Sequence, residues 1–400
     1  MSTSQKNKSI FMVGINTISF TTCFACWFLY AALITYLKVN KIFIWTDQDV
    51  FILKAVPILT GAIMRLPFGI LTDKYGGRLI FTILMLISAL GTASVYFATN
   101  FFHFFIAGLL LGISGASFAV GVAHCSEWSS DKWKGTALGI FGVGNIGAMI
   151  STIGGTYLLK NQLHSIEQGW RYLPLIYSIT LIINSILFWI LARNNRNENK
   201  KSVKFSDQIS FLKDIRVWRF GLYYFYVFGC FVGLSLCLND YYIQTFKLDM
   251  TSAGFYTGLF IFPASVVRAI GGYMSDKWGA RKVMYGVLGI SILCCSAMIF
   301  VKMLAIFVTL SVILGFVMGV GKAAVYKFIP TYYPENVGAV GGLVGLLGGI
   351  GGFCCPLIFA WLIDITNFWE SFWAFLLLVS LVSLIWMHSS VKQMRVAKIA

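Results

Sequence analysis

Long apolar stretches, separated by short polar connections, follow one another along almost the whole chain. A bilayer core about 30 Å thick needs about 20 apolar residues in a helix that crosses it. Only helices and closed barrels satisfy all their backbone hydrogen bonds in lipid, and continuous apolar runs of this length are typical of helices. Charged residues make up 12% of the chain, against about 25% in soluble domains. The sequence therefore predicts a protein with many membrane-spanning helices.

Twelve such stretches form two groups of six. The predicted spans are 10–36, 49–73, 79–98, 101–127, 135–160, 170–193, 218–241, 253–275, 282–301, 303–331, 337–364 and 366–388. One long polar connection, RNNRNENKKSVKFSDQISFLKDIR, follows the sixth stretch. We predict an all-α membrane protein with a six-helix half at 1–193, a cytoplasmic linker at 194–217 and a second six-helix half at 218–400.

Basic residues are unevenly distributed between the two ends of the predicted spans. If the N-terminus is cytoplasmic, 20 of the 31 Lys and Arg residues lie on the cytoplasmic side and seven on the other. The positive-inside tendency then predicts a multi-pass protein of the cell (inner or plasma) membrane with both termini in the cytoplasm. This placement also explains the net charge of +16 without nucleic acid as a partner. The first apolar run is too long for the core of a cleavable signal peptide.

The sequence shows no pattern typical of an enzyme or of a cofactor site. All nine cysteines lie in apolar stretches, where thiols usually act as small hydrophobic side chains. Cys23 and Cys26 are spaced like a redox or metal pair, but no His, Asp or Glu accompanies them. We therefore expect no metal, no cofactor and no enzymatic activity. We expect the lipid bilayer as surroundings and a functional monomer.

A charged motif occurs once in each half, at a constant offset of 203 residues. The two copies are MRLPFGILTDKYGGR and VRAIGGYMSDKWGAR. The paired positions are Arg65 and Arg268, Asp73 and Asp276, and Arg78 and Arg281. A constant offset over several positions indicates an internal repeat.

Arg65 and Arg268 are predicted to lie deep in the membrane. Each precedes the loop aspartate by eight residues, about 12 Å along a helix and thus near the centre of the bilayer core. A charge there costs at least about 2.5–3.5 kcal/mol, so such residues face the interior of the bundle. A structural ion pair or snorkelling is the alternative interpretation.

The two arginines have no predicted counter-ion in the protein. Every carboxylate falls in a loop or near the end of a predicted span, and Lys54 is likewise assigned to a span end. The missing negative charge is then supplied by a substrate anion. The planar guanidinium fork suits planar oxyanions, which include nitrate, nitrite, formate, bicarbonate and carboxylates, better than tetrahedral phosphate.

Glycine-rich elements repeat at the same offset. GTALGIFGVGNIG begins at Gly135, and GAVGGLVGLLGGIGG begins at Gly338 and has eight glycines in fifteen residues. Gly142 in the first element corresponds to Gly345 in the second. Such helices allow close approach of a neighbouring backbone and expose amides to a small ligand. Helix packing alone is the alternative.

The repeated loop, GILTDKYGGR and GYMSDKWGAR, resembles the cytoplasmic loop motif of the major facilitator superfamily. This resemblance implies two six-helix halves that rock about a central site near the bilayer midplane. It also implies that the loop residues latch the cytoplasmic helix ends during gating. These residues are Asp73, Arg78, Asp276 and Arg281.

The paired arginines and paired glycine-rich elements together resemble the nitrate/nitrite porter branch of that superfamily, over all twelve stretches. The resemblance implies nitrate and nitrite as substrates and Arg65 and Arg268 as the anion clamp. For Phe118 and Phe228, simple packing is the alternative. The other implied substrate-binding residues are Asn145, Tyr224, Phe228, Phe118, Gly142, Gly144, Gly342 and Gly345.

Two residues are candidates for a role in coupling. Lys322 lies deep in the tenth stretch, where it could face the pathway, whereas Lys327 is expected to snorkel at the cytoplasmic end. Histidine in general titrates near physiological pH, which makes His124 a candidate proton carrier, with hydrogen-bonded packing as the alternative. A site with fixed positive charge and no carboxylate favours exchange of nitrate for nitrite. Proton symport, a porter for formate or a dicarboxylate, and a non-transporting anion receptor are the alternatives.

Overall fold

The computed structural model describes residues 3–129, 134–195, 210–333 and 337–396, and every regular element in these ranges is helical. Most of the predicted linker, 196–209, lies outside the described residues. Eleven helices in these ranges are long and apolar enough to cross a membrane, and a bent pair of helices provides a twelfth span. The predicted all-α membrane architecture of twelve spans is confirmed.

We label the spans α1 to α12 in chain order. They are α1 Asn7–Val39, α2 Asp47–Tyr75, α3 Gly77–Phe97, α4 Phe101–Trp128, α5 Ala137–Gln162, α6 Gly169–Leu191, α7 Ile215–Phe246, α8 Met250–Val266 with Arg268–Trp278, α9 Ala280–Phe300, α10 Leu304–Ile329, α11 Val340–Thr366 and α12 Ser371–Met394. We call the end of the bundle at which α1 begins and α12 ends the terminal end, and the opposite end the distal end.

The two halves meet mainly along α2 against α11 and α5 against α8. A Cβ on Gly349 would lie 2.5 Å from the Cβ of Ala62, and one on Gly258 would lie 2.3 Å from Ile153. Small residues in α11 and α8 thus let the helices of the two halves approach closely.

The repeated loop has the same backbone geometry in both halves. α2 begins with a capping box between Thr46 and Asp49 and ends at Gly76, whose φ is +87°. The equivalent residue, Gly279, has φ +84°. Residues other than glycine rarely adopt this conformation, so these two glycines allow the chain to turn directly into the next span.

Two spans depart from regular α-helix beside candidate site residues. α8 bends by 43° at Val267, immediately before Arg268, whereas the sequence predicts one continuous span. Pro263 lies one turn earlier and removes a backbone donor, which explains the bend. In α7, a π-helical turn runs from Phe225 to Cys230, between Tyr224 and the rest of the span. Such turns occur frequently at functional sites.

The first half is held together around Trp27 of α1. Its indole Nε1 donates a hydrogen bond to the Pro57 carbonyl of α2 at 2.7 Å. Gly112 of α4 packs against the backbone of α2 at the same residue. A Cβ added to Gly112 would be 2.5 Å from the Pro57 carbonyl oxygen and 2.7 Å from the Pro57 Cα. Backbone atoms cannot move aside as a flexible side chain can, so this contact requires glycine.

We predict that Gly112→Ala lowers the free energy of unfolding by about 1–3 kcal/mol, the range for overpacking a close contact. The midpoint of thermal unfolding in detergent measures the change. Gly286→Ala in α9 is the matched control, because a Cβ there would meet nothing within 4 Å. Equal midpoints for the two variants would contradict the close packing of α2 and α4.

Candidate functional site

Arg65 of α2 is buried at the contact between the two halves, with 4% of its surface exposed. Its Nη1 donates a hydrogen bond to the Gly345 carbonyl of α11 at 3.0 Å, and its Nε donates to the Gly115 carbonyl at 3.4 Å. Its Nη2 is buried without a hydrogen-bond partner. Two of the three guanidinium nitrogens are therefore held by backbone carbonyls, and Nη2 remains free to donate to a ligand.

Arg268 of α8 is buried in the corresponding position of the second half, with 9% exposed. An added Cβ on Gly142 of α5 would lie 3.1 Å from the Arg268 Cδ, and the Arg268 Nη1 has no hydrogen-bond partner. Arg65 meets Gly345 and Arg268 meets Gly142, and each pair is related to the other by the repeat offset of 203. Each arginine thus reaches the glycine-rich helix of the opposite half.

Aromatic rings surround both guanidinium groups. The Phe118 ring centre lies 5.6 Å from the Arg65 Cζ and 5.2 Å from the Arg268 Cζ. Phe228 lies 5.0 Å from the Arg65 Cζ and stacks on Tyr224, with ring centres 5.0 Å apart and planes at 3°. The negative ring faces stabilise cations without removing their positive charge. The structure therefore brings four of the predicted site residues, Arg65, Arg268, Phe118 and Phe228, into one cluster, and Tyr224 joins it through its stacked ring.

Several buried polar groups on these helices have no hydrogen-bond partner. Besides the two arginine nitrogens, they include both amide atoms of Asn145 and the hydroxyl of Tyr224. Asn145 lies three residues after Gly142 in a 3-10 turn, which places the two on one helix face. An unpartnered buried polar group costs about 1–3 kcal/mol. Several such groups around two cations indicate a site built for a polar ligand.

The other predicted glycines differ in their surroundings. An added Cβ on Gly345 would lie 3.0 Å from the Tyr326 hydroxyl and 4.0 Å from the Arg65 Nη1, whereas one on Gly342 would lie 3.7 Å from Leu66. Gly144 packs on α1, where a Cβ would be 2.4 Å from the Phe20 ring. Gly345 thus borders the arginine cluster, and direct anion contact by Gly342 and Gly144 stays a prediction.

Lys322 of α10 adds a third basic side chain next to the cluster. It is wholly buried, and its Nζ lies 3.1 Å from the ring centre of Phe231 and 5.9 Å from that of Phe228. The Ala264 carbonyl accepts a hydrogen bond from Nζ at 3.4 Å. Among the described residues, none of the ion pairs found involves Arg65, Arg268 or Lys322. The cluster therefore carries positive charge without a protein counter-ion in the described part of the chain.

One carboxylate assigned to a span end lies deeper in its span than the sequence predicts. α7 continues to Phe246, so Asp240 lies within it and forms an ion pair with Lys54 of α2. Lys54, assigned from sequence to a span end, is wholly buried. Their mutual attraction and the hydrogen bonds around them offset the cost of burial. The pair lies eleven residues, about 16 Å along α2, from Arg65 and leaves the arginine charge uncompensated.

His124 is a packing residue in this structure. It is wholly buried, and its ring nitrogens lie 3.1 Å from the Asn16 Oδ1 and 2.9 Å from the Arg193 carbonyl oxygen. These contacts join α4 to α1 and to the segment after α6, at the terminal end. Both partners are acceptors, and a neutral imidazole donates to one of them at a time. These contacts fit the packing alternative, and the coupling role of His124 stays a prediction.

The loop residues connect neighbouring spans at the terminal end. The Arg78 Nε donates to the Trp189 carbonyl of α6 at 2.8 Å, and the Arg281 Nη2 donates to the Tyr332 hydroxyl at 3.1 Å. Asp276 forms an ion pair with Lys327, which was expected to snorkel. Asp73 occupies the repeat position of Asp276 at the end of α2. The contacts of the other three residues fit the predicted latch.

Sequence reasoning missed two aromatic residues of the cluster. The Tyr326 ring centre lies 5.7 Å from the Arg268 Cζ, and that of Trp27 lies 5.7 Å from the Arg65 Cζ. Tyr326 follows Lys322 by four residues, and this helical spacing was the available signal. Trp27 carried no such signal, because it lies among many aromatic residues of α1.

Known proteins are similar to this chain over most of its length. The chain is 37% identical over 405 residues to the probable nitrate/nitrite antiporter NarK1 of Thermus thermophilus, covering 95% of this chain and 91% of the relative. It is 31% identical to the probable nitrate transporter NarT of Staphylococcus haemolyticus, covering 93% and 94%. It is 26% identical to the nitrite extrusion protein of Bacillus subtilis, covering 96% and 95%.

Solved structures share the fold at low sequence identity. The human organic anion transporter MFSD10 aligns with a TM-score of 0.71 at 15% identity, over 94% of this chain and 99% of that one. A bacterial homolog of the human lysosomal transporter Spinster, inward-facing and occupied, aligns with a TM-score of 0.70 at 15% identity, over 94% and 96%. The family model described as Major Facilitator Superfamily matches residues 17–305 and 238–397. The chain therefore belongs to the Major Facilitator Superfamily.

Proposed function

We propose that this protein carries nitrate and nitrite across the cell membrane by alternating access, as an exchanger, with the anion held between Arg65 and Arg268. The observation that carries the proposal is the reciprocal arrangement of the two arginines. Arg65 is hydrogen-bonded to the glycine-rich helix of the opposite half, Arg268 lies against the other such helix, and each keeps an unpartnered guanidinium nitrogen.

The chemistry of the cluster supports a small planar oxyanion. Two guanidinium groups offer planar donors, which match two or three equivalent oxygens in one plane. The flat faces of Phe118 and Phe228 suit a flat ligand, while Asn145 and Tyr224 supply further polar atoms without partners. Because aromatic rings and close helix contacts surround these donors, a small ligand fits better than a large one.

The similar proteins support nitrate and nitrite within that class of anion. Relatives aligned over more than nine-tenths of the chain are named a nitrate/nitrite antiporter, a nitrate transporter and a nitrite extrusion protein. Formate and dicarboxylates share the planar geometry and remain the rival substrates. Competition of labelled nitrate uptake by these anions distinguishes them.

The position of the cluster between the halves supports alternating access. Arg65 is held by a carbonyl of the second half, and Arg268 lies against a glycine of the first, so a bound anion contacts both halves at once. Movement of one half against the other must then change the site. Without an anion, two or three buried cations repel one another, which favours the return step with an anion bound and thus exchange.

We predict that Arg65→Lys and Arg268→Lys each lose most nitrate uptake in proteoliposomes. Lysine retains the charge but cannot hold the backbone carbonyl and an anion in one plane. Arg193→Lys is the matched control, since its side chain is exposed, and it should transport as the wild type does. Near-normal uptake by either clamp variant would overturn the two-arginine site.

Counterflow separates exchange from proton symport. We predict that nitrite loaded inside proteoliposomes drives nitrate entry after the proton gradient has been collapsed, because the anion alone neutralises the site. Liposomes without protein and without internal nitrite are the controls. If nitrate enters only when a pH gradient is imposed, the exchange mechanism is wrong and the alternative, proton symport, takes its place.

A further inference from the structure

The buried ion pair near the distal end connects the two halves through three side chains. Thr35 and Lys54 belong to α1 and α2 of the first half, and Asp240 belongs to α7 of the second. The Lys54 Nζ donates to Thr35 Oγ1 at 2.7 Å and to Asp240 Oδ2, and Thr35 Oγ1 lies 2.9 Å from Asp240 Oδ1. All three side chains are buried or nearly so.

We propose that Lys54 and Thr35 form a second binding site for a planar oxyanion, which the Asp240 carboxylate occupies while the distal side is closed. The inference rests on the proposed anion transport and adds a distal step to it. A carboxylate is itself a planar anion with two equivalent oxygens, as nitrite is, and nitrate presents the same pair plus a third. The contacts with Asp240 thus display how Lys54 and Thr35 hold such an anion.

The donors and the carboxylate are able to separate, because they belong to different halves. Lys54 and Thr35 both belong to the first half and are hydrogen-bonded to each other, so movement of the second half does not by itself separate them. A buried ion pair contributes little net stability compared with apolar residues, so its attraction is not a strong reason for its presence. Its position across the halves gives it a role that changes with conformation.

Two other cross-half contacts show that the distal side is closed in this structure. The Lys160 Nζ of α5 binds the Asp249 carboxylate, which caps α8, at 2.5 Å, and the Gln48 Nε2 donates to Asp364 at 3.3 Å. Hydrogen bonds from Lys160 and Ser252 lower the pKa of Asp249, so its contact with Lys160 persists across physiological pH. Opening the distal side must separate these contacts together with the Asp240 pair.

Opening therefore leaves the Lys54 ammonium without its carboxylate partner, about 16 Å along α2 from Arg65. The Thr35 hydroxyl beside it also bonds the Ala31 carbonyl of its own helix at 2.9 Å and loses only its contact with Asp240. An anion that enters from the distal side takes the place of the carboxylate before it reaches the arginines. When the halves close again, Asp240 returns and displaces any anion left there. The carboxylate acts as a tethered competitor that keeps the two sites from being occupied together in the closed state.

Removal of the competitor tests the site directly. Asp240→Ala leaves the carboxylate position empty, so we predict that purified protein in detergent binds two nitrite ions instead of one, measured by titration calorimetry. Nitrite should also raise the thermal midpoint of Asp240→Ala more than that of the wild type. Asp364→Ala is the control for loss of a distal carboxylate, and Lys54→Met in the Asp240→Ala background should return the stoichiometry to one.

One nitrite per protein and an unchanged midpoint shift in folded Asp240→Ala would overturn the distal site. Absence of nitrite binding by the wild type alone would instead count against the central site of the proposed function. If Asp240→Ala does not fold without ligand, purification in nitrite followed by its removal replaces the titration. Loss of the folded state on removal then supports the site, and failure to fold even in nitrite overturns it.

Transport from each side tests whether the site is used. We predict that Thr35→Val raises the KM for nitrate entering from the distal side about fivefold, as expected for one lost hydrogen bond. The KM from the terminal side should not change, and Thr35→Ser should restore the wild-type value. Thr22→Val, on the exposed face of the same helix, is the control. Opposite shifts of both KM values would mean that Thr35 only balances the two conformations, and would overturn the site.

Discussion

Two arginines placed in the bilayer core without a carboxylate partner determine the arrangement around them. An uncompensated charge at that depth must lie inside the protein, and both guanidinium groups do so at the contact between the halves. Aromatic faces stabilise both of them, and backbone carbonyls also hold Arg65, without cancelling the charge. The glycines on the opposite helices follow from the same requirement, because a side chain at Gly142 would press on Arg268. The two buried charges thus account for the small residues that border them, Gly142 in α5 and Gly345 in α11.

Much of this arrangement could be predicted from the sequence. The offset of 203 residues identified both arginines and both glycine elements as equivalent, and span length gave the depth of the charges. The sequence could not show that each arginine meets the glycine-rich helix of the other half. That pairing depends on how α2 packs on α11 and how α5 packs on α8. Lys54 and Asp240 are 186 residues apart and close to predicted span ends. Their contact arises only when the halves assemble, and α7 continues beyond its predicted end with Asp240 held by Lys54.

Pro263 was a visible signal for the bend at Val267, which the prediction of one continuous span did not use.

In both the central cluster and the distal pair, a buried cation requires a negative charge nearby. The two places differ in where that negative charge comes from. At the centre, the protein supplies cations and leaves the negative charge to the substrate. At the distal end, it supplies both charges, one from each half, so the pair is complete only when the halves are together. In the proposed mechanism, a transported anion exchanges places with a protein carboxylate at the distal site and meets uncompensated cations at the central one. The anion then has a favourable position at two depths along α2.

The central claim is that Arg65 and Arg268 bind one anion together. A double-mutant cycle measures this most directly, with nitrate affinity determined by calorimetry for the wild type, Arg65→Lys, Arg268→Lys and the double variant. Shared binding predicts strongly non-additive losses, so that the double variant binds nitrate about as weakly as either single variant. Losses that add within about 0.5 kcal/mol would show that the two arginines act independently, and would contradict the account.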